Sequence, residues 1–422
     1  MDEWLNWQQL PHNHFIYDIM KGREGAFVGL SNGLERLNKY IHGTQIGKIY
    51  LIGADSGGGK TTVSDYMFPI SAWLDAKAKG QPIKIAYCSF EVSRRNKEAK
   101  WCSHFIFRKY GVSLPIDYLL GRIENNYLKE EELPMIKYGW ECVKEIMKDI
   151  LLLDEATHPT AIYEGVIKEY MKFGTVNRQR TADDVKKDRP ATGKVLSYQP
   201  KPEYENLMFI LMIDHLKLLH TERGYDTKKT MDTMSSYCIA LKNRFKTTSV
   251  ILQQFNSDLQ SSRREAVLRN GGKNTEAFLL PNKLDFGDSK ATFENADYVI
   301  GLVQPAAYQL ERFYGYDCGP SGMAGFMIAL FLMKNRESGS ANILCPLFMN
   351  PVSTMVYDLN GRKPDSPTMA EDIVWLSKAH DLRTELARFV PIKTEDDGNN
   401  TSGAKTGSDQ ADPKNLITIL PA

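Results

Sequence analysis

Several patterns that mark common protein classes are absent from this sequence. Its cysteines form no CxxC pair and have no histidines at ligand spacing, which argues against a zinc module and favours reduced thiols: Cys88, Cys102, Cys142, Cys238, Cys318 and Cys345. No apolar run approaches the roughly 18 residues that a membrane-spanning helix needs, and the N-terminus lacks a signal-peptide pattern. We therefore expect the protein to work in the cytoplasm.

A strong net charge is also absent. The sequence has 53 Lys and Arg residues against 52 Asp and Glu residues, a formal net charge of +1. A nucleic-acid partner would therefore have to be held by local basic loops rather than by the field of the whole protein. With 422 residues, of which 42% are hydrophobic, the chain can form one large core with a small appendage or two modest domains.

What the sequence does contain is a phosphate-binding pattern near residue 60. An apolar run predicts a buried strand, three glycines follow it, and Lys60 and Thr61 begin a segment of helical pattern, as in a P-loop. Lys60 would reach the β- and γ-phosphates of a nucleotide, and the Thr61 hydroxyl is placed for Mg²⁺. The predicted nucleotide-binding residues are Ala54, Asp55, Ser56, Gly57, Gly58, Gly59, Lys60, Thr61 and Thr62.

One position departs from the GxxxxGK[ST] pattern, because Ala54 stands where the first glycine is expected. A glycine-rich turn in an ordinary α/β protein is the alternative interpretation. The glycines and Lys-Thr directly after a strand nevertheless favour ATP and Mg²⁺ as ligands. The apolar runs and helical patterns along the chain predict an α/β fold with a mainly parallel central sheet flanked by helices.

A candidate general base follows the next predicted strand. The apolar run from Ile83 ends at Glu91, and ligands of a doubly wound sheet bind beyond the carboxyl ends of its strands. Glu91 would then lie beside the phosphates, where a base for the attacking water belongs. The alternative is a solvated glutamate that caps the helix predicted from Ser93 to Tyr110.

Two strands compete for the metal-binding carboxylate. The run 150–153 is followed by Asp154 and Glu155, and the longer run 207–213 is followed by Asp214. Only one of these strands can be the neighbour of the P-loop strand that holds the metal. We favour Asp214, because Glu91 already supplies a base and a second glutamate beside the aspartate is not required.

Two further strand ends carry polar groups. The run 249–252 ends in Gln253 and Gln254, whose amides can hydrogen-bond a γ-phosphate. A later apolar strand ends in Lys334 and Arg336, and two cations are costly to bury there unless they meet an anion. At a subunit boundary, Arg336 would reach the γ-phosphate of a neighbour as an arginine finger.

The remaining segments define the expected domain organisation. We expect an N-terminal arm at 1–28, one motor domain at 29–390 and a disordered tail at 391–422, with a last amphipathic helix at 371–389. The polar stretch at about 175–205 predicts a surface insertion or a flexible loop. The segment 257–284 predicts a mobile basic loop that is either merely solvated or follows a nucleic-acid backbone through Arg263, Arg264, Arg269 and Lys273.

In this order, the motifs resemble the RecA-like motor domain of DnaB-type replicative DNA helicases, whose phosphate loop also commonly begins with alanine. Ser89–Ser93 looks like the FSLEMS motif of that family, and Met212–Leu216 like its IDYLQ Walker B motif. Further similar elements are the lead-in Gly33–Asn38, the sensor Gln254–Asn256, the segment Asp285–Asp297 and the KxR element Lys334–Arg336. The resemblance covers residues 29 to about 357.

This resemblance implies the roles of the candidate residues. Glu91 would activate water, Asp214 would order the metal, Gln254 would sense the γ-phosphate, and Lys334 and Arg336 would act on the nucleotide of the next subunit. It also implies a hexameric ring that moves 5′ to 3′ on single-stranded or forked DNA, with a primase or a loader as partner. Within Asp285–Asp297, it implies DNA contacts at Gly287, Asp288 and Lys290.

Three departures limit what the resemblance implies. Gly287 replaces an arginine and Lys290 a glycine of the family pattern, which predicts rearranged DNA contacts. Neither the helical N-terminal collar domain nor a zinc-binding primase module is found, and this architecture favours a bacteriophage or mobile-element helicase. The alternatives are a RecA/RadA-like recombinase or circadian-type ATPase that does not unwind DNA, and a P-loop protein that binds ATP without hydrolysing it.

Overall fold

The computed structural model describes residues 29–256, 262, 279–287, 290–314, 316–319, 324–339 and 341–359. The predicted arm at 1–28, the helix at 371–389 and the tail at 391–422 lie outside these residues, as do Arg263, Arg264, Arg269, Lys273 and Asp288. Within the described residues, no helix has both the length and the apolar composition that crossing a membrane requires.

The core of the fold is a nine-stranded sheet. The strands of the chain are β1 (Ile49–Ala54), β2 (Ile83–Ser89), β3 (Ile150–Leu153), β4 (Gly174–Arg178), β5 (Val195–Pro200), β6 (Met208–Asp214), β7 (Thr248–Gln254), β8 (Tyr298–Val303), β9 (Arg312–Phe313), β10 (Tyr316–Asp317), β11 (Met327–Asn335), β12 (Ile343–Met349) and β13 (Val356–Asp358). Across the large sheet the order is β13-β12-β11-β8-β1-β7-β6-β2-β3.

Strand direction divides this sheet into two parts. The strands β8, β1, β7, β6, β2 and β3 are all parallel to their neighbours in this group. At the other side of β8, β11 pairs antiparallel with β8, β12 with β11, and β13 with β12. The prediction of a mainly parallel α/β sheet is therefore confirmed. We call the side of the sheet at which the parallel strands end the carboxyl edge and the side at which they begin the amino edge. These two names refer to the ends of the strands and not to the outermost strands β3 and β13.

Both faces of the sheet are buried, which explains the uninterrupted apolar runs of its central strands. Every residue of β1 is buried, with Tyr50 and Ile52 in the core on one face and Ile49 and Leu51 in the core on the other. The helices of the described residues are α1 (Glu35–Ile41), α2 (Lys60–Asp65), α3 (Trp73–Lys79), α4 (Arg94–Tyr110), α5 (Ile116–Leu119), α6 (Leu133–Met147), α7 (Pro159–Phe173), α8 (Ala182–Lys186), α9 (Thr227–Phe245) and α10 (Lys290–Asn295).

Short 3₁₀ segments connect several of these elements: Glu130–Glu132, Pro202–Tyr204, Leu216–Leu218, Lys283–Phe286, Pro305–Tyr308 and Ala324–Phe326. Between α2 and α3 the chain forms a π-helix over Tyr66–Ala72 that contains Pro69. Proline cannot donate to the hydrogen-bond ladder and its ring crowds the preceding turn, which accounts for a wider turn at this place. The helix predicted after the P-loop is thus present, with a π segment in its middle.

The polar stretch at 175–205 is a folded surface insertion and not a flexible loop. Strands β4 and β5 pair antiparallel, and α8 lies between them. Val195 is buried, and the Tyr198 ring contacts the rings of Tyr170 and Phe245. The few apolar residues of the insertion pack it against the rest of the domain. The polar composition of this stretch did not reveal that packing.

The expected strand order was wrong in one detail. The direct parallel neighbours of the P-loop strand β1 are β7 and β8, and Asp214 ends β6, one strand further away. The competing carboxylate Asp154 follows β3, the edge strand of the sheet. Side chains at the carboxyl edge therefore have to span one strand to reach the P-loop.

Candidate nucleotide-binding site

The P-loop connects β1 to α2 at the carboxyl edge, and its glycines meet two different local demands. Gly57 and Gly59 have φ angles of 70° and 82°, a region that favours glycine. A Cβ atom on Gly58 would lie 2.9 Å from the Cβ of Ala54. The space left by Gly58 therefore accommodates Ala54, which explains how alanine fits at the first position of the loop.

Lys60 begins α2 and is buried. Its ammonium nitrogen lies 3.2 Å from the carbonyl oxygen of Asp55 and 3.5 Å from that of Ala54. Burial lowers the pKa of Lys60, and the carboxylates of Glu91, Asp214 and Asp55 act in the opposite direction. The loop thus folds around a buried cation whose charge complements phosphate.

Thr61 and Asp214 meet beneath the loop. The Thr61 hydroxyl donates a hydrogen bond of 3.0 Å to Oδ2 of Asp214, although β7 separates their strands. Asp214 is fully buried, burial raises its pKa, and its Oδ1 atom has no hydrogen-bond partner among the described residues. A hydroxyl beside a buried carboxylate with an unused oxygen fits a hydrated Mg²⁺ ion.

Asp154, the competing carboxylate, has a different environment. Its Oδ2 atom accepts a hydrogen bond of 3.2 Å from the backbone N–H of Arg94, the first residue of α4. It is exposed and follows the edge strand. The structure therefore brings Asp214 and not Asp154 to Thr61, and Asp154 contributes to capping α4.

Glu91 lies at the same edge as the P-loop. Ser89, two residues before it, is paired in register with Asp214, and the N–H of Phe90 donates a 2.8 Å hydrogen bond to the Asp214 carbonyl oxygen. The negative charge of Glu91 acts on the pKa values of Lys60 and Asp214. Glu91 is exposed, so solvent water reaches it.

Gln254 is linked to a histidine that the sequence analysis gave no role. Gln254 is the last residue of β7 and is paired in register with Ala54. Burial lowers the pKa of His215, and the charge of Glu91 and a hydrogen bond with Gln254 oppose this shift. His215 thus lies close enough to Gln254 and Glu91 for both to act on its pKa, and its place directly after Asp214 was the available signal.

Tyr308 is a second residue that sequence reasoning missed. It lies in the 3₁₀ segment that follows β8, and its hydroxyl donates a hydrogen bond to Oδ2 of Asp55 within the P-loop. Both residues are buried. A carboxylate in a phosphate-binding loop needs such a partner, but the sequence does not show which tyrosine supplies it.

Lys334 and Arg336 lie on the opposite side of the sheet from the P-loop. Because β11 is antiparallel to β8, its last residues reach the amino edge, where the N–H of Arg336 donates to the carbonyl oxygen of Asp297. The N–H of Asp297 in turn donates to Ile49, the first residue of β1. The length of β1 thus separates Arg336 from the phosphate loop of its own chain.

The side chains of these cations contact the end of α10. The Lys334 ammonium group lies 2.9 Å from the carbonyl oxygens of Phe293 and Glu294, and Arg336 donates to the Glu294 carbonyl oxygen at 2.6 Å. Arg336 is also 3.6 Å from the buried carboxylate of Asp297. Both side chains remain partly accessible, so an incoming anion would compete with carbonyl groups and one carboxylate.

Two of the predicted DNA-contact positions fall within the described residues. Gly287 ends the turn after the 3₁₀ segment Lys283–Phe286, where an added Cβ would lie 3.0 Å from the Asn256 amide nitrogen. The N–H of Asn256 donates to the Asp285 carbonyl oxygen at 2.9 Å, which joins this turn to the end of β7. Lys290 is the exposed first residue of α10.

The geometry and the comparisons together define the class of the fold, a RecA-like ATPase core. No family model and no curated protein matches the sequence. Among solved structures, the chain is similar to an isolated ATPase domain, with a TM-score of 0.56 and 12% identity over 82% of this chain and 96% of that one. It is also similar to a DnaB-like replicative helicase whose structure describes its interactions with primase, with a TM-score of 0.55 and 13% identity over 86% and 67% of the chains. The chain has the fold of DnaB-like helicase ATPase domains, as the resemblance implied.

Proposed function

We propose that this protein is an ATP-dependent replicative DNA helicase, a ring-forming motor that hydrolyses ATP between subunits. One observation supports this proposal above the others. Lys60, Thr61, Asp214 and Glu91 lie together at the carboxyl edge of the sheet, and Arg336 lies at the amino edge. A complete site with an arginine finger therefore requires a second copy of the chain.

The described residues fit ATP and Mg²⁺. Backbone N–H groups of the P-loop and the Lys60 ammonium group would bind the phosphates, and Thr61 and Asp214 would hold the metal. When bound, Mg²⁺ neutralises charge that develops on the phosphate oxygens. Glu91, exposed in front of the loop, would orient and polarise the attacking water, and Gln254 would contact the γ-phosphate at the end of the strand beside β1.

A ring supplies the missing charges. Arg336 and Lys334 of one copy would approach the phosphates held by the next copy and stabilise negative charge there. Such a head-to-tail contact uses two different surfaces and closes into a ring when its rotation permits. We propose a hexamer for this chain, following the resemblance.

We assign the DNA contacts to loops at the carboxyl edge. Gln254 and Asn256 connect the nucleotide site to the turn of Gly287, and exposed Lys290 follows that turn. Gly287 and Lys290, with Asp288 and the basic residues Arg263, Arg264, Arg269 and Lys273, would follow the phosphate backbone of one strand. Sequential hydrolysis would then move the ring 5′ to 3′ on single-stranded or forked DNA, with a primase or a loader as partner.

Unwinding of a forked duplex tests the proposal. We expect ATP hydrolysis that single-stranded DNA stimulates, together with displacement of one strand from a fork that has a 5′ tail. The Lys60→Ala variant, which cannot neutralise the phosphates, is the matched inactive control. Strand exchange without unwinding would replace the helicase by a recombinase, and ATP binding without hydrolysis would exclude a motor.

A further inference from the structure

A group of buried charges lies beneath the P-loop helix. Lys97 of α4 and Asp65 of α2 are both completely inaccessible, and their nearest nitrogen and oxygen atoms are 3.1 Å apart. The Tyr87 hydroxyl donates to Asp65 at 2.6 Å, and the Trp101 indole N–H donates to it at 3.2 Å. Lys97 also donates to the Tyr87 hydroxyl at 2.8 Å. The carboxylate of Asp65 thus receives hydrogen bonds from three different side chains.

A second lysine of the same helix reaches the same place. Lys100 lies one turn after Lys97, so both side chains leave the same face of α4. Its ammonium group donates a hydrogen bond of 3.2 Å to the Thr62 hydroxyl, and Thr62 directly follows Thr61. Two buried cations of α4 therefore contact two successive parts of the P-loop helix.

Stability alone does not explain these charges. Taking an ion pair out of water costs free energy that its attraction often only balances, and apolar pairs of similar volume frequently replace such pairs without loss of stability. A fully hydrogen-bonded network, by contrast, fixes the relative position of the elements that it joins. Here it joins α2, β2 through Tyr87, and α4.

Two of these elements, β2 and α4, flank Glu91 along the chain. Strand β2 ends two residues before Glu91, and α4 begins three residues after it. The N–H of Lys97 donates to the carbonyl oxygen of Ser93 at 3.0 Å, so Lys97 lies in the first turn of α4. A shift of this turn against α2 would move Glu91 relative to Lys60 and Thr61.

We propose that Lys97 and Asp65 are positioning residues that hold Glu91 at its working distance from the phosphate-binding loop. The inference rests on the proposed function, in which Glu91 activates the attacking water. Lys100 supports the same alignment through Thr62. Neither Lys97 nor Asp65 would touch the substrate, since both are inaccessible.

An apolar replacement of the pair tests this role. In the double variant Asp65→Leu/Lys97→Met no charge of the pair is left unpaired, so we expect a folded protein whose Kd for ATP changes less than about threefold. Its kcat for DNA-stimulated hydrolysis should fall about 10- to 100-fold, because small misplacements of a catalytic group have effects of this size. A loss of nucleotide affinity parallel to the loss of kcat would show a general structural role and overturn the inference.

Two further variants complete the experiment. If the variant with the apolar pair does not fold, the neutral polar variant Asp65→Asn/Lys97→Gln is measured instead. Its kcat should fall while its Kd for ATP changes little. The control Glu141→Gln/Lys144→Gln removes an exposed ion pair from α6, and we expect its activity to match the wild type. A double variant with wild-type kcat, beside an inactive Glu91→Gln, would refute only the positioning role. Wild-type hydrolysis by Glu91→Gln would instead refute the proposed function.

Discussion

Complementation between two inactive variants gives the sharpest prediction. Lys60→Ala removes a charge at the carboxyl edge, and Arg336→Ala removes one at the amino edge. Each variant alone should lose DNA-stimulated ATP hydrolysis, because every site then lacks one of the cations that stabilise charge on the phosphates. Mixed before assembly, the two variants should recover part of the activity through sites that combine the intact half of each.

The separation of the two residues excludes action within one chain. Arg336 is hydrogen-bonded through Asp297 to Ile49 at the start of β1, and the P-loop follows Ala54 at its end. Strand residues rise by about 3.3 Å each, so these ends lie roughly 17 Å apart, beyond the length of an arginine side chain. Arg336 therefore cannot contact phosphates bound to its own P-loop without a rearrangement of the sheet.

The expected size of the recovery follows from random assembly. In an equimolar mixture, a site is intact when its P-loop comes from an Arg336→Ala copy and its finger from a Lys60→Ala copy. With independent sites in a head-to-tail ring, about a quarter of the sites should be intact. We therefore expect about a quarter of the wild-type hydrolysis rate, and less if the sites must fire in sequence.

The assay measures steady-state phosphate release with single-stranded DNA against the mixing ratio. A mixture of Lys60→Ala with Glu91→Gln is the matched control, since both residues belong to the same half of the site and no intact site can form between the two variants. Recovery only with the Arg336→Ala partner would support action between copies. Full activity of Arg336→Ala alone, or no recovery at any ratio, would refute the reasoning.

Three other predictions concern the metal site, the amino edge and the core. Thr61→Val should lower hydrolysis about 100-fold, because it removes the hydroxyl that we propose as a metal ligand; phosphate release and a Mg²⁺ titration of nucleotide binding would measure the effect. Asp297→Asn should lower the free energy of unfolding in urea by about 1–3 kcal/mol, because buried Asp297 accepts hydrogen bonds from Lys242 and from β1. Burial lowers the pKa of His104 to about 3. Below about pH 6.5 this histidine is protonated in the unfolded chain and neutral in the folded one. Lowering the pH from about 7 to about 5 should therefore decrease the free energy of unfolding by about 2 kcal/mol through this residue.

Each of these predictions has a control. Thr61→Ser retains the hydroxyl and should retain most of the activity. For Asp297, removal of the exposed ion pair Lys148–Glu145 should leave the unfolding free energy nearly unchanged. His104→Gln cannot titrate, so its stability should depend less on pH, and an unchanged pH dependence would contradict the assignment. Equal stability of Asp297→Asn and the wild type would show that the buried contacts contribute nothing.

Local patterns predicted the elements well. The helix predicted from Ser93 to Tyr110 is present as α4 (Arg94–Tyr110). The apolar run predicted to end in Gln253 and Gln254 is strand β7 (Thr248–Gln254). The positions of Lys60, Glu91 and Asp214 at or beyond the ends of β1, β2 and β6 could also be predicted from the sequence, because apolar runs that end in polar residues occur where buried strands leave the core. Their catalytic roles stay predictions.

The sequence by itself determined that the apolar runs of the central sheet form buried strands and that a helix follows the P-loop, since these depend on neighbours along the chain. Only the tertiary structure decided that Asp214 and not Asp154 meets Thr61, that Arg336 lies at the opposite edge, and that the 175–205 insertion is folded. The order of the strands, the antiparallel direction of β11 and the Lys97–Asp65 pair depend on contacts between residues far apart in sequence. Such contacts are set by the packing of whole elements, and no local pattern encodes them.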